Sequence, residues 1–461
     1  MLQIIILAGL GLLAMLSEVF NFKKIMPFIT FFGVGTVIAI TLFLWNQDAF
    51  WPNNMLVEDI FNKSFVLISS TVFLLWILVF RNVFSDEVHV VEYLALTCFA
   101  MVGGYMMLSY SHLVMLFLGV EILSIPVYVL AGSNRKSLKS NEAAFKYFLM
   151  GAFASCFLLL GITFVYGATG TFDIFEIAKV AQSNPQNLPV FFFIGAVCML
   201  IAMLFKISAA PFHFWTPDVY EGAPTPFTAF MSTLVKIFAT AASFKLFIVI
   251  IGNAMVDKLM IVMAIVAISM LLGNILGAFQ KNPKRILAYS SIGHAGFMLL
   301  TILIAGGLGF QALLYYSITY SIASLLAFYV LHLALPVNDT EVKLSDLNGL
   351  GKRNPWLGFG LTVAVLSMAG IPPLSGFFAK YFVFIAAFDK GYYAIVLIAI
   401  ISSVIGAYYY LKFAIATYGK NKELGVEDLE ITLLDKMTIL LLVSLIIGLG
   451  MFPDVLAMLF V

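Results

Sequence analysis

Apolar residues run through this chain in long unbroken stretches, with the polar residues gathered in short intervals between them. Fourteen stretches are long enough to cross about 30 Å of hydrocarbon as helices. They fall at 2–20, 25–45, 64–81, 92–109, 112–131, 144–167, 190–215, 227–250, 258–279, 286–305, 309–335, 355–388, 392–417 and 435–457. None shows the ten-residue alternation of a membrane strand, so the pattern predicts an all-α polytopic membrane protein with 14 transmembrane helices. Between the sixth and seventh spans, TFDIFEIAKVAQS at 171–183 places Ile174, Ile177, Ala178 and Ala181 on one face. That spacing predicts a short helix lying at the membrane surface.

The intervals carry their basic residues unevenly. Loops leaving odd-numbered spans hold Lys23, Lys24, Arg81, Arg135, Lys136, Lys139, Lys281, Lys284, Arg285, Lys343, Lys352, Arg353, Lys420 and Lys422, fourteen in all. The opposite loops hold four, Lys63, Lys179, Lys258 and Lys390. Basic residues collect on the cytoplasmic side, which predicts that both termini face outward. The first span has neither a basic leader nor a small-residue cleavage site, so it is expected to be retained as a helix.

Two spans are interrupted. Span 7 breaks at Pro211, five residues after Lys206, and span 12 breaks at Pro372 and Pro373, seven residues before Lys380. Interrupted spans five apart suggest two five-helix repeats, spans 4–8 and 9–13, the second inverted because five is odd. Inverted repeats with broken helices point to a transport pathway near the midplane. The expected organisation is residues 1–91 for helices 1–3, 92–252 and 253–418 for the repeats, and 419–461 for helix 14.

Composition narrows the class further. The chain is 62% hydrophobic and only 11% charged, with a formal net charge of +1, so no basic face exists to neutralise nucleic-acid phosphates. Cys98, Cys156 and Cys198 each sit in an apolar run without a CxxC pair and read as packed thiols, with no zinc or iron-sulfur site. The five histidines do not form the facing mid-span pairs that a haem requires.

Against that background a few charges stand out. Glu121 lies about nine residues from either end of its span, where a carboxylate costs about 2.5–3.5 kcal/mol unless neutral or paired. Lys206 and Lys236 lie near mid-span on consecutive spans, and Thr233 and Thr240 share the face of Lys236. Lys380 sits in the second half of broken span 12. These four are candidate proton carriers, each with the plainer alternative of a buried charge tied to a neighbouring helix. Lys146 and His294 are possible links, the histidine having Ser290 and Ser291 one turn away. Lys245, Lys412 and Lys436, nearer span ends, are expected to snorkel to the surface. Two unit charges about 7 Å apart at an effective dielectric near 20 interact by about 2.4 kcal/mol. Moving one charge in such a row therefore changes the proton affinity of the next, with no organic cofactor needed.

The stretch FKISAAPFHFWTPDVYEGAPTPFTAF, with Glu121 upstream and KNPKRILAYSSIGHAGF downstream, resembles the antiporter-like membrane subunits of bacterial proton-pumping NADH:quinone oxidoreductase, respiratory complex I. The resemblance spans essentially the whole chain and is nearest to the subunit N type. The M type carries Glu where this chain has Lys380, and the L type continues into a long lateral helix. The resemblance implies fourteen helices, inverted repeats, and proton-transfer roles for Glu121, Lys206, Lys236 and Lys380, with Lys146 and His294 as linking positions. It implies other complex I membrane subunits as partners in a bacterial inner membrane. NADH, FMN, iron-sulfur clusters and quinone would belong to other subunits, with none on this chain. A subunit of a multi-chain sodium/proton antiporter is the alternative, since it shares this helix plan.

Overall fold

The structure, a computed structural model, describes residues 1–51, 54–85, 89–183, 188–248, 259–335, 342–419 and 429–454 of the 461. Of the expected loop charges, Lys258, Lys420 and Lys422 lie outside the described residues. The chain folds as two compact units, one of Met1–Ser133, Ala144–Trp215 and Leu234–Val262, the other of Asn134–Ala143, Thr216–Thr233 and Met263–Val461.

The first unit opens with α1 (Leu2–Val19) and α2 (Met26–Phe43), followed by an antiparallel hairpin, β1 (Ala49–Trp51) with β2 (Leu56–Glu58). Asp59 accepts from the backbone N–H of Asn62 at 2.8 Å and caps α3 (Ile60–Val79). One turn on, Lys63 is buried and donates to the Trp45 and Gln47 carbonyls at 3.0 and 2.6 Å, gathering carbonyls left open beyond α2. Then come α4 (Val90–Ser109), α5 (Leu113–Ala131) and α6 (Leu138–Thr169), whose first turns belong to the second unit. The surface helix α7 (Ile174–Ser183) buries Ile174, Ile177 and Ala181, the apolar face expected from its spacing. Next is α8 (Val190–Ile207). After α9 (Trp215–Gly222) and α10 (Thr225–Phe230), the chain passes through a π-helical turn at Met231–Val235 into α11 (Lys236–Leu246), which packs on α3, α4 and α8.

The second unit holds most of α12 (Leu259–Phe279), then α13 (Pro283–Ile304), α14 (Gly306–Ala334), short α15 (Leu350–Arg353), α16 (Pro355–Ala369), α17 (Ser375–Asp389), α18 (Tyr393–Tyr418) and α19 (Leu433–Met451). Both α13 and α16 begin at an Asn-Pro pair. The Asn282 and Asn354 side chains accept from the next free backbone N–H groups, and the proline fills the position where an N–H would go unused. Helix α14 is the hub, packed against α10, α13, α16, α17 and α19.

Thirteen described helices are long and apolar enough to cross a membrane. Span 12 is not one of them because it is divided into α16 and α17, 15 residues each, about 22 Å long apiece. Burial runs opposite to that of a water-soluble protein: Ile5, Phe28, Phe32, Val404 and Ile415 are exposed, while the stretch Pro226–Leu246 is buried throughout. An apolar exterior around a core containing lysines is what hydrocarbon solvent selects.

Candidate functional site

In the first unit, the site is built on one face of α5. Glu121, Ser124 and Tyr128 follow at spacings of three and four, so their side chains stack along that face. Glu121 is half-buried, and its carboxylate accepts from the Ser155 hydroxyl on α6. The Lys206 ammonium, on the last turn of α8, donates to Ser124 Oγ at 2.5 Å and to the Tyr128 hydroxyl at 3.0 Å. It also lies 5.2 and 5.9 Å from the ring centres of Tyr128 and Tyr147, a cation–π arrangement. No hydrogen bond joins Glu121 to Lys206 among the described residues; the helix turn between Glu121 and Ser124 separates them. Tyr128 reaches its position because residue 151 is glycine, where a Cβ would stand 1.9 Å from the Tyr128 hydroxyl.

The helix ends beside this lysine. Ser208 adopts φ +67°, the Ala209 N–H returns to the Leu204 carbonyl and the Ser208 N–H to Phe205, and the next peptide, Ala210–Pro211, is cis. The Trp215 indole donates to the Phe205 carbonyl at 3.1 Å and stacks on Tyr147 at 4.4 Å. Lys236 is buried and follows the π-helical turn directly, a distortion that recurs at functional sites. Of the hydroxyls on its face, Thr240 donates to the Lys236 carbonyl at 2.8 Å and Thr233 to the Ala229 carbonyl at 2.7 Å. Lys146 is half-buried on α6.

Lys245 departs from expectation. Instead of snorkelling it is buried, 5.1 Å from the Tyr110 ring centre, with no hydrogen-bond partner for its ammonium among the described residues.

The second unit repeats the device. Helix α16 ends at Gly370, φ +87°, with the Ile371 N–H returning to Leu366 and the Gly370 N–H to Ser367, and Pro372–Pro373 is cis. Buried Lys380, on α17, reaches back across the break and donates to the Ala369 carbonyl at 2.8 Å and to Ser403 Oγ at 2.9 Å. That carbonyl is among those a helix C-terminus leaves open. His294 is held by phenols from two other helices. Its Nδ1 lies 2.7 Å from the Tyr316 hydroxyl and its Nε2 3.0 Å from that of Tyr410. Sequence reasoning missed these tyrosines, and Ser124, Tyr128 and Ser403 as well, because hydroxyl residues are common in membrane helices and their pairing is settled by tertiary packing.

The PDVYEG and NPKR stretches meet in the second unit. Arg285 donates to Asp218 and Glu221 at 2.8 and 2.9 Å, and Lys284 to the Glu221 and Ala223 carbonyls at 2.9 and 2.6 Å. These contacts fasten the segment after the first break to the start of α13. Among the described residues, no three His, Cys, Asp or Glu side chains gather into a metal-binding group.

Two broken helices, each with a buried lysine at the interruption, define a polytopic ion-translocating membrane subunit of the antiporter type. The chain belongs to the NADH:quinone oxidoreductase/Mrp antiporter transmembrane family, whose profile matches residues 111–406. It is 41% identical over 458 residues to NADH-quinone oxidoreductase subunit N of Flavobacterium psychrophilum and 42% identical over 466 residues to that of Flavobacterium johnsoniae, with 98% of each chain covered in both cases. Its fold matches a chain of respiratory complex I from Thermus thermophilus at TM-score 0.84 and 32% identity, covering 99% of this chain and 98% of that one. It also matches a chain of the Mrp complex from Dietzia sp. at TM-score 0.86 and 22% identity, covering 98% and 95%, a likeness of fold alone.

Proposed function

We propose that this chain is the N-type subunit of a bacterial NADH:quinone oxidoreductase and translocates protons across the membrane, driven by quinone reduction elsewhere in the complex. The observation that carries the reading is the placement of Lys206 and Lys380, each buried at a helix break and held by hydroxyls or a freed carbonyl instead of by a permanent carboxylate. Neutral acceptors hold a lysine in place without locking its charge, so a proton can leave and return. Glu121, one turn from the Ser124 that holds Lys206, supplies a charge whose arrival or departure changes the proton affinity of that lysine. Lys236 continues the series in the first half of the chain, His294 and Lys380 act in the second, and Lys146 is a lesser link. The enzyme activity belongs to the complex, with NADH, FMN, iron-sulfur and quinone chemistry on other subunits. Protons enter from the cytoplasm of the inner membrane and leave on the outer side, which both termini face. The sodium/proton antiporter alternative has the shared family profile and a likeness of fold at 22% identity behind it, against 41% and 42% identity to the subunit N relatives.

Glu121→Ala and Lys206→Ala complexes, purified and reconstituted in proteoliposomes, are expected to assemble and yet move far fewer protons per NADH oxidised. Full pumping by both variants overturns the assignment.

A further inference from the structure

His294 is held at both ring nitrogens by phenols, and the network extends beyond them. Ser290, one turn earlier on α13, is hydrogen-bonded to the Tyr410 hydroxyl. Tyr409 packs against Tyr410 with the rings tilted and their centres 4.4 Å apart, and it donates to Asn274 at 2.8 Å, which in turn donates to Ser402 at 2.7 Å. His294, Tyr316, Tyr410 and Ser290 are all buried, on three different helices. A histidine kept for structure needs one partner to fix its ring. Here both nitrogens are matched to groups that each carry one proton and two lone pairs, so in either tautomer one phenol donates to the ring and the other accepts from it.

Beside the histidine lies a small cavity of about 10 Å³, lined by His294, Tyr316, Thr319, Tyr320, Ser367 and Ala379 among others. That is about the least space that admits one water, and five of the nine lining residues have polar side chains. Ser367 lies in the last turn of α16, and its hydroxyl accepts from the Gly376 N–H at 3.1 Å. Ala379 precedes Lys380. The cavity thus separates the break that holds Lys380 from the caged imidazole.

We propose that Tyr316 and Tyr410 are proton-transfer residues on either side of His294, and that one water in this cavity passes the proton between the α16–α17 break and Tyr316. The inference rests on the proton-translocation reading above. In the relay, an incoming proton bonds to the Tyr316 oxygen as that oxygen's own proton bonds to Nδ1. The Nε2–H bond breaks, its proton bonds to the Tyr410 oxygen, and the Tyr410 proton bonds to Ser290 Oγ as the serine's own O–H bond breaks and that proton leaves to water. One proton enters and one leaves, with no net charge left on the ring. The ring is left as the Nδ1–H tautomer, a neutral imidazole like the first. Run in the opposite direction, the same steps deliver a proton to the break.

The test uses the complete complex in proteoliposomes, with protons moved per NADH and the solvent deuterium isotope effect as readouts. Tyr410→Phe and Tyr316→Phe keep each ring and remove only the hydroxyl, and the proton step is expected to slow by about 10²-fold or more. The ratio of protons to NADH then falls and the isotope effect rises. Ala379→Val fills the cavity without removing a polar group and is expected to lower the same ratio. Tyr315→Phe is the control, since the Tyr315 hydroxyl donates to the Leu449 carbonyl, away from this cage, and its ratio is expected to stay at the wild-type value. If one phenol variant fails to assemble, the other supplies the same test at the opposite nitrogen. Wild-type ratios in the phenol variants, with Lys206→Ala still impaired, overturn the relay alone; a wild-type ratio in Ala379→Val overturns the water step. Wild-type ratios in Lys206→Ala and Glu121→Ala as well remove the translocation reading beneath it.

Discussion

Lys206 and Lys380 occupy similar surroundings by different routes. One ammonium is held by a serine and a tyrosine from the neighbouring helix, the other by a serine and a backbone carbonyl. Hydrogen bonds from a charged donor are worth about 1.5–3 kcal/mol, enough to fix position while leaving the proton exchangeable. The Lys206 pocket depends on a residue that never touches the lysine. At Gly151 any side chain meets the Tyr128 hydroxyl, so Gly151→Ala is expected to push Tyr128 off Lys206 and destabilise the protein by about 1–3 kcal/mol. A thermal unfolding scan of the purified complex reads the destabilisation as a lower midpoint, and proton pumping reads the displacement of Tyr128. Gly151→Ala with wild-type values of both refutes the dependence. Glu121, Lys206, Lys236 and Lys380 were legible because a charge at membrane depth is costly wherever it falls in the fold. The phenol partners of His294 were not, because they arrive from α14 and α18, far from it in sequence.

The two interrupted helices end in the same hydrogen-bonded motif, yet only one carries the residue the motif favours. Gly370 takes φ +87° without strain, whereas Ser208 takes φ +67° with a Cβ present. Their substitutions are therefore expected to act in opposite directions. Ser208→Gly relieves a left-handed conformation worth about 1–2 kcal/mol and raises the unfolding midpoint, while Gly370→Ser imposes it and also crowds Lys380, whose Nζ lies 3.3 Å from where a Cβ would stand. Lower midpoints for both variants, or no change in either, contradict the account. The breaks themselves were readable from Pro211 and from Pro372–Pro373, since a proline removes a backbone donor and crowds the preceding turn, although α5 carries Pro126 without ending. How far each gap opens was not, and α16 and α17 each fall below spanning length. Lys245 was misjudged for a related reason: distance from the span end says nothing of which neighbour covers that end, and here Tyr110 does.

At the scale of the whole molecule, the basic residues set a direction that can be checked without any functional assay. The proposed orientation puts the loop between α14 and α16 in the cytoplasm and the turn between α17 and α18 outside. Lys352 and Lys390 are exposed in these two places, and two of the three native cysteines, Cys98 and Cys198, are buried, so replacing exposed Cys156 leaves a quiet background. A membrane-impermeant maleimide applied to intact cells is expected to label Lys390→Cys and not Lys352→Cys, and applied to inverted vesicles to label the second and not the first. The reversed pattern would turn the protein over and with it the direction of proton flow. Labelling of both from one side would place an even number of crossings, zero included, between them. The divided helix α16–α17 would then be re-entrant, and the inverted pairing of the two broken helices, on which the shared role of Lys206 and Lys380 depends, would fall with it.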